Sequence, residues 1–225
     1  MQMLRCFIGY DPRQPLAYNV LQHSIIKNSS VPVSIVPLVL SQLPLKRRGL
    51  TEFTYSRFLV PWLCGFVGKA LFLDADMVVT GDIAELFESS DGLASVSVMQ
   101  EQPKFEWASA MMFSCGACIH LTPEFVNDDK NPLFDFAWAP YIGTLPAEWN
   151  HCVGYQEPKE AKLNHFTMGL PCWPETAGAV EDMTWTNAYK DMIRSVSWRE
   201  LMGNSVHAKA TMKRFLGDKY GVKMG

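Results

Sequence analysis

The chain has 225 residues, 48% of them hydrophobic and 19% charged, long enough for one core that buries roughly 70–75% of the unfolded surface. A net charge of −3 gives no reason to expect a nucleic-acid or anionic-membrane partner. The most apolar longer stretch, Val31 to Leu40, is broken by Pro32 and Pro37 and falls well short of a membrane span, and the opening residues do not form a signal peptide. Six scattered cysteines and 12 methionines fit a reducing cytoplasm, and Cys115-Gly-Ala-Cys118, a lone pair, reads as buried packing and not as a zinc site.

Leu4 to Tyr10 reads as a strand, Asp11-Pro12-Arg13 as a turn, and Pro15 to Lys27 as a helix with Leu16, Val20, Leu21 and Ile25 at helical spacing. Val33 to Leu38 is the second strand of a βαβ unit, so Tyr10 and Asp11 stand at a carboxyl strand end, where ligands of open α/β sheets gather. Leu43 to Phe53 is an irregular loop, and Thr54 to Cys64 a helix that Pro61 shortens or kinks. Ala70 to Leu73 is a short buried strand that stops on Asp74-Ala75-Asp76. Two carboxylates held that close are costly unless something positive lies between them, and hard oxygen ligands suit Mg2+ or Mn2+. A solvated turn is the plainer alternative for the same three residues.

Asp82 to Glu88 is a short helix capped by Asp82. Leu93 to Met99 and Met111 to Gly116 are strands, the aromatic stretch from Asn127 to Tyr141 holds a short helix around Leu133 to Trp138, and Leu163 to Phe166 is a short strand. Helices are expected over Tyr189 to Met202 and Ser205 to Leu216. The fold class is therefore α/β, a mostly parallel central sheet flanked by helices, with one domain over residues 1–180 and a C-terminal helical extension over 181–225 packed on it.

Four stretches, taken in order, resemble the GT-A glycosyltransferases of family 8. Phe53-Thr-Tyr-Ser-Arg-Phe-Leu-Val-Pro61 resembles that family's helix with its tyrosine and arginine. Leu71-Phe-Leu-Asp-Ala-Asp-Met-Val-Val, with Gly81-Asp-Ile-Ala-Glu-Leu-Phe87, resembles its Asp-x-Asp block. Leu145-Pro-Ala-Glu-Trp-Asn150 is similar to its Leu-Pro turn, and Asn164-His-Phe-Thr-Met-Gly-Leu-Pro-Cys-Trp173 to its late histidine block. The likeness spans about residues 3 to 175 and extends to a set of bacterial and phage proteins that open Phe-Ile-Gly-Tyr-Asp-Pro-Arg.

The resemblance implies a retaining transfer of a hexose from a UDP-sugar to a carbohydrate, lipid-linked or protein acceptor. It implies Mn2+ (or Mg2+) held by Asp74, Asp76 and His165, a set whose imidazole favours Mn2+. It places Gly9, Tyr10, Asp11, Tyr55, Arg57, Ala75, Ser114, Gly169 and Trp173 around the nucleotide sugar, with Asp76 and Asn150 as the catalytic pair. The chain departs from the family in lacking a lysine before Trp173, which leaves Lys162, Lys209, Lys213 or Arg214 to meet the diphosphate. Phe113-Ser-Cys-Gly116 stands where the family has Phe-Asn-Ser-Gly, and Asp135 or Glu148 is a candidate nucleophile only by its proximity to the turn. A front-face route, in which the diphosphate deprotonates the acceptor, requires no such nucleophile. The alternatives are a HAD-type phosphatase with Asp74 as nucleophile, and a non-catalytic nucleotide-sugar binder.

Overall fold

The computed structural model describes residues 3–157, 160–173, 175–176, 178 and 182–194. The chain runs β1 (Leu4–Gly9), α1 (Pro15–Lys27), β2 (Val33–Leu38), α2 (Val60–Leu63), β3 (Lys69–Leu73), β4 (Met77–Val79), α3 (Ile83–Ser89), β5 (Val96–Val98), β6 (Ala110–Ser114), α4 (Pro123–Asn127), β7 (Ile142–Thr144), β8 (Trp149–Cys152), β9 (Leu163–His165) and α5 (Asp182–Arg194). Short 3-10 segments, among them Ser56–Leu59 and Lys104–Ser109, fill the links.

Six strands form the main sheet in the order β2-β1-β3-β6-β5-β7, with β1 parallel to both β2 and β3 and β5 parallel to β7. Both ladders of β6 are antiparallel, so it is the one reversed strand in this sheet. Side chains alternate between the two faces, as the two-residue period of a strand requires. Cys6, Ile8, Leu71, Leu73 and Met112 join one core with Val20, Leu21 and Ile25 of α1, while Phe7, Ala70, Phe72, Met111 and Phe113 join the other with Phe53, Phe58 and Leu133.

Local chemistry explains the element ends. Pro15 opens α1, where its missing N–H costs no helical hydrogen bond, and Asn28 closes it by donating its backbone N–H to the Ser24 carbonyl at 3.1 Å. The Asp82 carboxylate caps α3, accepting from the Ala84 N–H at 3.0 Å. Pro61 sits in the first turn of α2, and the segment expected as one helix over Thr54 to Cys64 is a 3-10 turn followed by a single α-turn.

A second, three-stranded sheet has the order β4-β9-β8. It was not expected from the sequence, and its ladder sets Met77 opposite His165. Trp185 of α5 is buried in the core shared with α1, and Lys27 of α1 forms an ion pair with Asp191. The helix expected from Tyr189 begins earlier, at Asp182; its part beyond Arg194, and the helix expected over Ser205 to Leu216, lie outside the described residues. No helix of the described residues is long and apolar enough to cross a membrane.

Candidate active site

Asp74 follows β3 directly, and its N–H donates to the Ser109 carbonyl at 2.8 Å, which ties it to the main sheet. Two residues later the chain has crossed to the small sheet, where the Asp76 carbonyl accepts from the Phe166 N–H at 2.8 Å. That bond and the Met77–His165 pairing bring the late histidine beside the Asp-x-Asp turn. His165 Nε2 lies 3.3 Å from Asp76 Oδ1. Ligand atoms of Asp74, Asp76 and His165 all fall within 4.8 Å of one another, close enough to hold one metal ion.

Arg57 engages the first aspartate of this turn. Its Nη2 is 3.0 Å from Asp74 Oδ1 and its Nη1 3.4 Å from Asp74 Oδ2, while the same guanidinium donates to the carbonyls of Ala108 (2.6 Å) and Phe53 (3.3 Å). It also packs 4.9 Å from the centre of the Phe72 ring. Arg57 is thus a clamp that fixes the first aspartate by engaging both of its oxygens.

The electrostatics of the cluster favour added positive charge. Burial pushes the Asp74 carboxyl up to about 7; Arg57 opposes this, Asp76 adds to it, His165 opposes and Glu106 adds. Burial alone would discharge His165, but the charge and hydrogen bond of Asp76, the Cys152 thiol and Asp74 outweigh it and hold the imidazole well above its ordinary value. Asp74 Oδ1 and Asp76 Oδ1 are buried and accept no hydrogen bond of good geometry among the described residues, although each faces a cationic side chain. Two carboxylate oxygens and one imidazole nitrogen, converging with excess negative potential, suit a divalent cation.

Beside the trio opens a cavity of about 440 Å3 lined by Asp11, Arg13, Leu50, Phe53, Ala75, Asp76, Thr167, Met168, Gly169 and Trp173, among others. Asp11 closes the end of β1. The Arg13 side chain grips its carboxylate with Nε–Oδ1 at 2.9 Å, and the Arg13 N–H donates to the same oxygen at 2.9 Å; the side-chain hydrogen bond holds the carboxyl below its usual range. Gly9 is required by close approach, since a Cβ there would sit 2.4 Å from Phe53 Cγ. Gly169 has φ +128°, and a Cβ would meet the Trp173 ring at 2.8 Å, so the glycine lets that indole fold against the cavity wall.

The other expected site residues stand apart from this cavity. Tyr10 packs edge-on to Tyr18, with ring centres 5.4 Å apart. Tyr55 lies under the Arg47 guanidinium at 4.2 Å and edge-on to Phe134 at 6.0 Å. Ser114 has to be corrected, because β6 is antiparallel to β3 and Ser114 pairs with Lys69, while Leu73, next to Asp74, pairs with Ala110. The strand rise puts those two ends about 13 Å apart, so Ser114 lies at the end of β6 away from Asp74. Ser109 and Ala110 occupy the place assigned to it.

Asn150 is wholly buried at a bulge between β8 and β9, with φ +154°, and its Nδ2 donates to Ser109 Oγ at 2.9 Å. Lys162, expected as one substitute for the diphosphate lysine, instead pairs with Glu85 and lies 3.8 Å from Glu148. Asp135 is exposed and accepts from the Ala137 N–H, so it has a turn to hold. Lys209, Lys213, Arg214 and His207 lie outside the described residues. Glu106, Cys152, Ser109 and Arg13, all at the site, were not expected there. Only Arg13 carried a signal, its place in the Asp-Pro-Arg turn.

A sheet with one reversed strand, an Asp-x-Asp turn at its edge and a small sheet returning a histidine define a glycosyltransferase of the GT-A fold. The structure is similar to the glycosyltransferase GlyE of Streptococcus pneumoniae TIGR4 (TM-score 0.61, 16% identity, 86% of this chain and 63% of that one). It is also similar to the galactosyltransferase LgtC, solved with donor and acceptor sugar analogs (TM-score 0.56, 10% identity, 84% and 96%). In sequence, the family model for glycosyl transferase family 8 matches residues 14–120. Protein CDI of Arabidopsis thaliana is 33% identical over 225 residues, covering 83% of this chain and 81% of that protein. The chain belongs to glycosyl transferase family 8 and is a glycosyltransferase. It spans 63% of the GlyE chain and 51% of the bifunctional glycosyltransferase WbbM, which it also matches. The family membership leaves the phosphatase alternative without support, and the Arg57 clamp argues against a free nucleophile at Asp74.

Proposed function

We propose that this chain transfers a hexosyl group from a UDP-sugar to a carbohydrate, lipid-linked or protein acceptor, with retention of configuration and with Mn2+ as its preferred ion. The observation that carries this is the meeting of Asp74, Asp76 and His165, the second of which also lines a cavity of about 440 Å3 together with Asp11 and Trp173. The carboxylates of Asp74 and Asp76 and Nε2 of His165 would hold the ion. When bound, it neutralises charge on the departing diphosphate and orients it.

The chain's own groups do the rest. Arg57 keeps Asp74 in place and limits the charge it must carry alone. Asp11, already ionised and oriented by Arg13, is an acceptor suited to ribose hydroxyls. Trp173 supplies an apolar wall, and the Ala75 backbone approaches the cavity with no bulky side chain in the way. Glu148 faces Lys162 and Asp135 caps a turn, so neither supports double displacement, and the front-face route is preferred. Residues 1–180 are read as the catalytic unit, with 181–225 as its extension, working in a reducing compartment such as the cytoplasm.

The test is to incubate the protein with a panel of UDP-sugars and Mn2+, with and without EDTA, and to follow free UDP. Release from one donor that EDTA abolishes supports the proposal. Tight UDP-sugar binding without release, on any acceptor panel, would make the protein a binder. Release from other nucleotide sugars but never from UDP-sugars would overturn the choice of donor.

A further inference from the structure

We propose that Glu106 is a positioning residue, which fixes the ring of His165 so that Nε2 presents its lone pair to the ion; it rests on the metal-dependent function proposed above. Glu106 is an isolated acid from the 3-10 segment Lys104–Ser109, and it is only 5% exposed. A carboxylate buried that far is costly unless it is paired or hydrogen-bonded. Among the described residues no lysine or arginine pairs with Glu106. Its Oε1 accepts from Thr167 Oγ1 at 2.8 Å, and its Oε2 lies 3.6 Å from His165 Nδ1. Cys152 Sγ lies 3.8 Å from the same nitrogen.

The imidazole therefore bridges two acidic ends, Asp76 at Nε2 and Glu106 with Cys152 at Nδ1. A histidine that coordinates through Nε2 must carry its proton on Nδ1, and an acceptor facing Nδ1 selects that tautomer and ring orientation. Glu106 is held from both sides for this task. Thr167, which anchors its far oxygen, follows His165 by two residues, and the Ser109 hydroxyl donates to the Glu106 carbonyl at 2.6 Å. The same segment supplies the Ala108 carbonyl to Arg57 and the Ser109 carbonyl to Asp74. One stretch thus addresses two of the three candidate metal ligands, Asp74 and His165.

The experiment measures Mn2+ affinity from the electron paramagnetic resonance of free ion, together with the 15N resonances of the His165 ring, in the unaltered chain, Glu106→Ala and Glu106→Gln. Glu106→Ala is expected to weaken Mn2+ binding by about 10–100-fold and to leave the ring as a mixture of tautomers. Its turnover at saturating Mn2+ should fall much less than its apparent metal affinity. Glu106→Gln keeps an acceptor oxygen and should recover most of the loss, and it carries the test if the alanine variant does not fold. Surface Glu124→Gln is the control. Mn2+ affinity within about twofold of the unaltered chain in Glu106→Ala, with the Nδ1–H tautomer retained, would overturn the inference alone. Lost turnover with intact affinity would also overturn it, since Glu106 would then act on the sugar itself. An unaltered chain that binds no Mn2+ would overturn both this and the function proposed above.

Discussion

Arg57→Met tests the electrostatic design of the site directly. Methionine keeps an apolar stem against Phe72 but removes the guanidinium, which contacts both Asp74 oxygens and the carbonyls of Ala108 and Phe53. Removing one partner of a buried ion pair costs about 3–5 kcal/mol, because the other charge is left without compensation. The two stripped carbonyls add roughly 1 kcal/mol each. Asp74 has an escape, since its carboxyl is already pushed up to about 7 and can stay protonated, which pulls the total to about 3–4 kcal/mol. The assay is urea unfolding in EDTA at a pH above 7. With a slope of about 2–3 kcal/mol per molar urea, the midpoint should fall by more than about 1 M. Asp74→Asn removes the charge that Arg57 answers, so in the double variant Arg57→Met should cost about 1–3 kcal/mol less than it does alone. A loss below about 1 kcal/mol, or strictly additive effects in the double variant, would refute a buried, coupled pair.

Three further outcomes follow from the same geometry. Metal-free protein should lose stability as pH rises from about 4 to about 7: the folded Asp74 pKa, about 7, lies above its unfolded value of 3.8, so its contribution is present below the lower value and lost through the upper one. Thermal melts in EDTA read this directly, and Mn2+ should restore stability most above pH 7, where the carboxylate is free to ligate. Asp76→Asn, at a side chain 31% exposed on the cavity rim, should lower Mn2+-dependent turnover by about 10²–10³-fold while the melting temperature moves little, measured by UDP release and calorimetry. Ser114→Ala should leave donor KM unchanged and stability within about 0.5 kcal/mol; a marked rise in KM would contradict the β3–β6 register.

The first βαβ unit was legible because its punctuation is local. Pro15 and Asn28 bound α1, and β2 ends as expected at Leu38. Of the small sheet only β9 was legible, as the short strand expected over Leu163 to Phe166; β4 is three residues long, too short to show a period, and the two pair only because the fold brings them together. Ser114 was misplaced for a related reason. A strand's sequence gives its faces, but its register follows from direction, and reversing β6 moves each residue to the opposite end of its neighbour. Glu106 left no trace because a single acid between Phe105 and Trp107 makes no pattern, and only its partners across the fold distinguish it.

Those illegible parts decide how the site works. Asp74 belongs to the main sheet through Ser109, whereas Asp76 and His165 belong to the small sheet through the β4–β9 ladder. Ala75 is the single residue between the two aspartates, so the candidate metal ligands straddle a seam between two separately hydrogen-bonded sheets. Each sheet can hold its own residues rigidly, yet neither fixes the spacing of one set against the other. The Lys104–Ser109 segment bridges the two: its Ser109 carbonyl accepts from Asp74 and its Ala108 carbonyl from Arg57, while the Glu106–Thr167 and Ser109–Asn150 hydrogen bonds tie it to the small sheet and the turn after it. The positive φ and bulge at Asn150 fall where that bond reaches the small sheet. Local strain of this kind persists only where the surroundings over-determine it, and the buried seam between the sheets supplies that constraint.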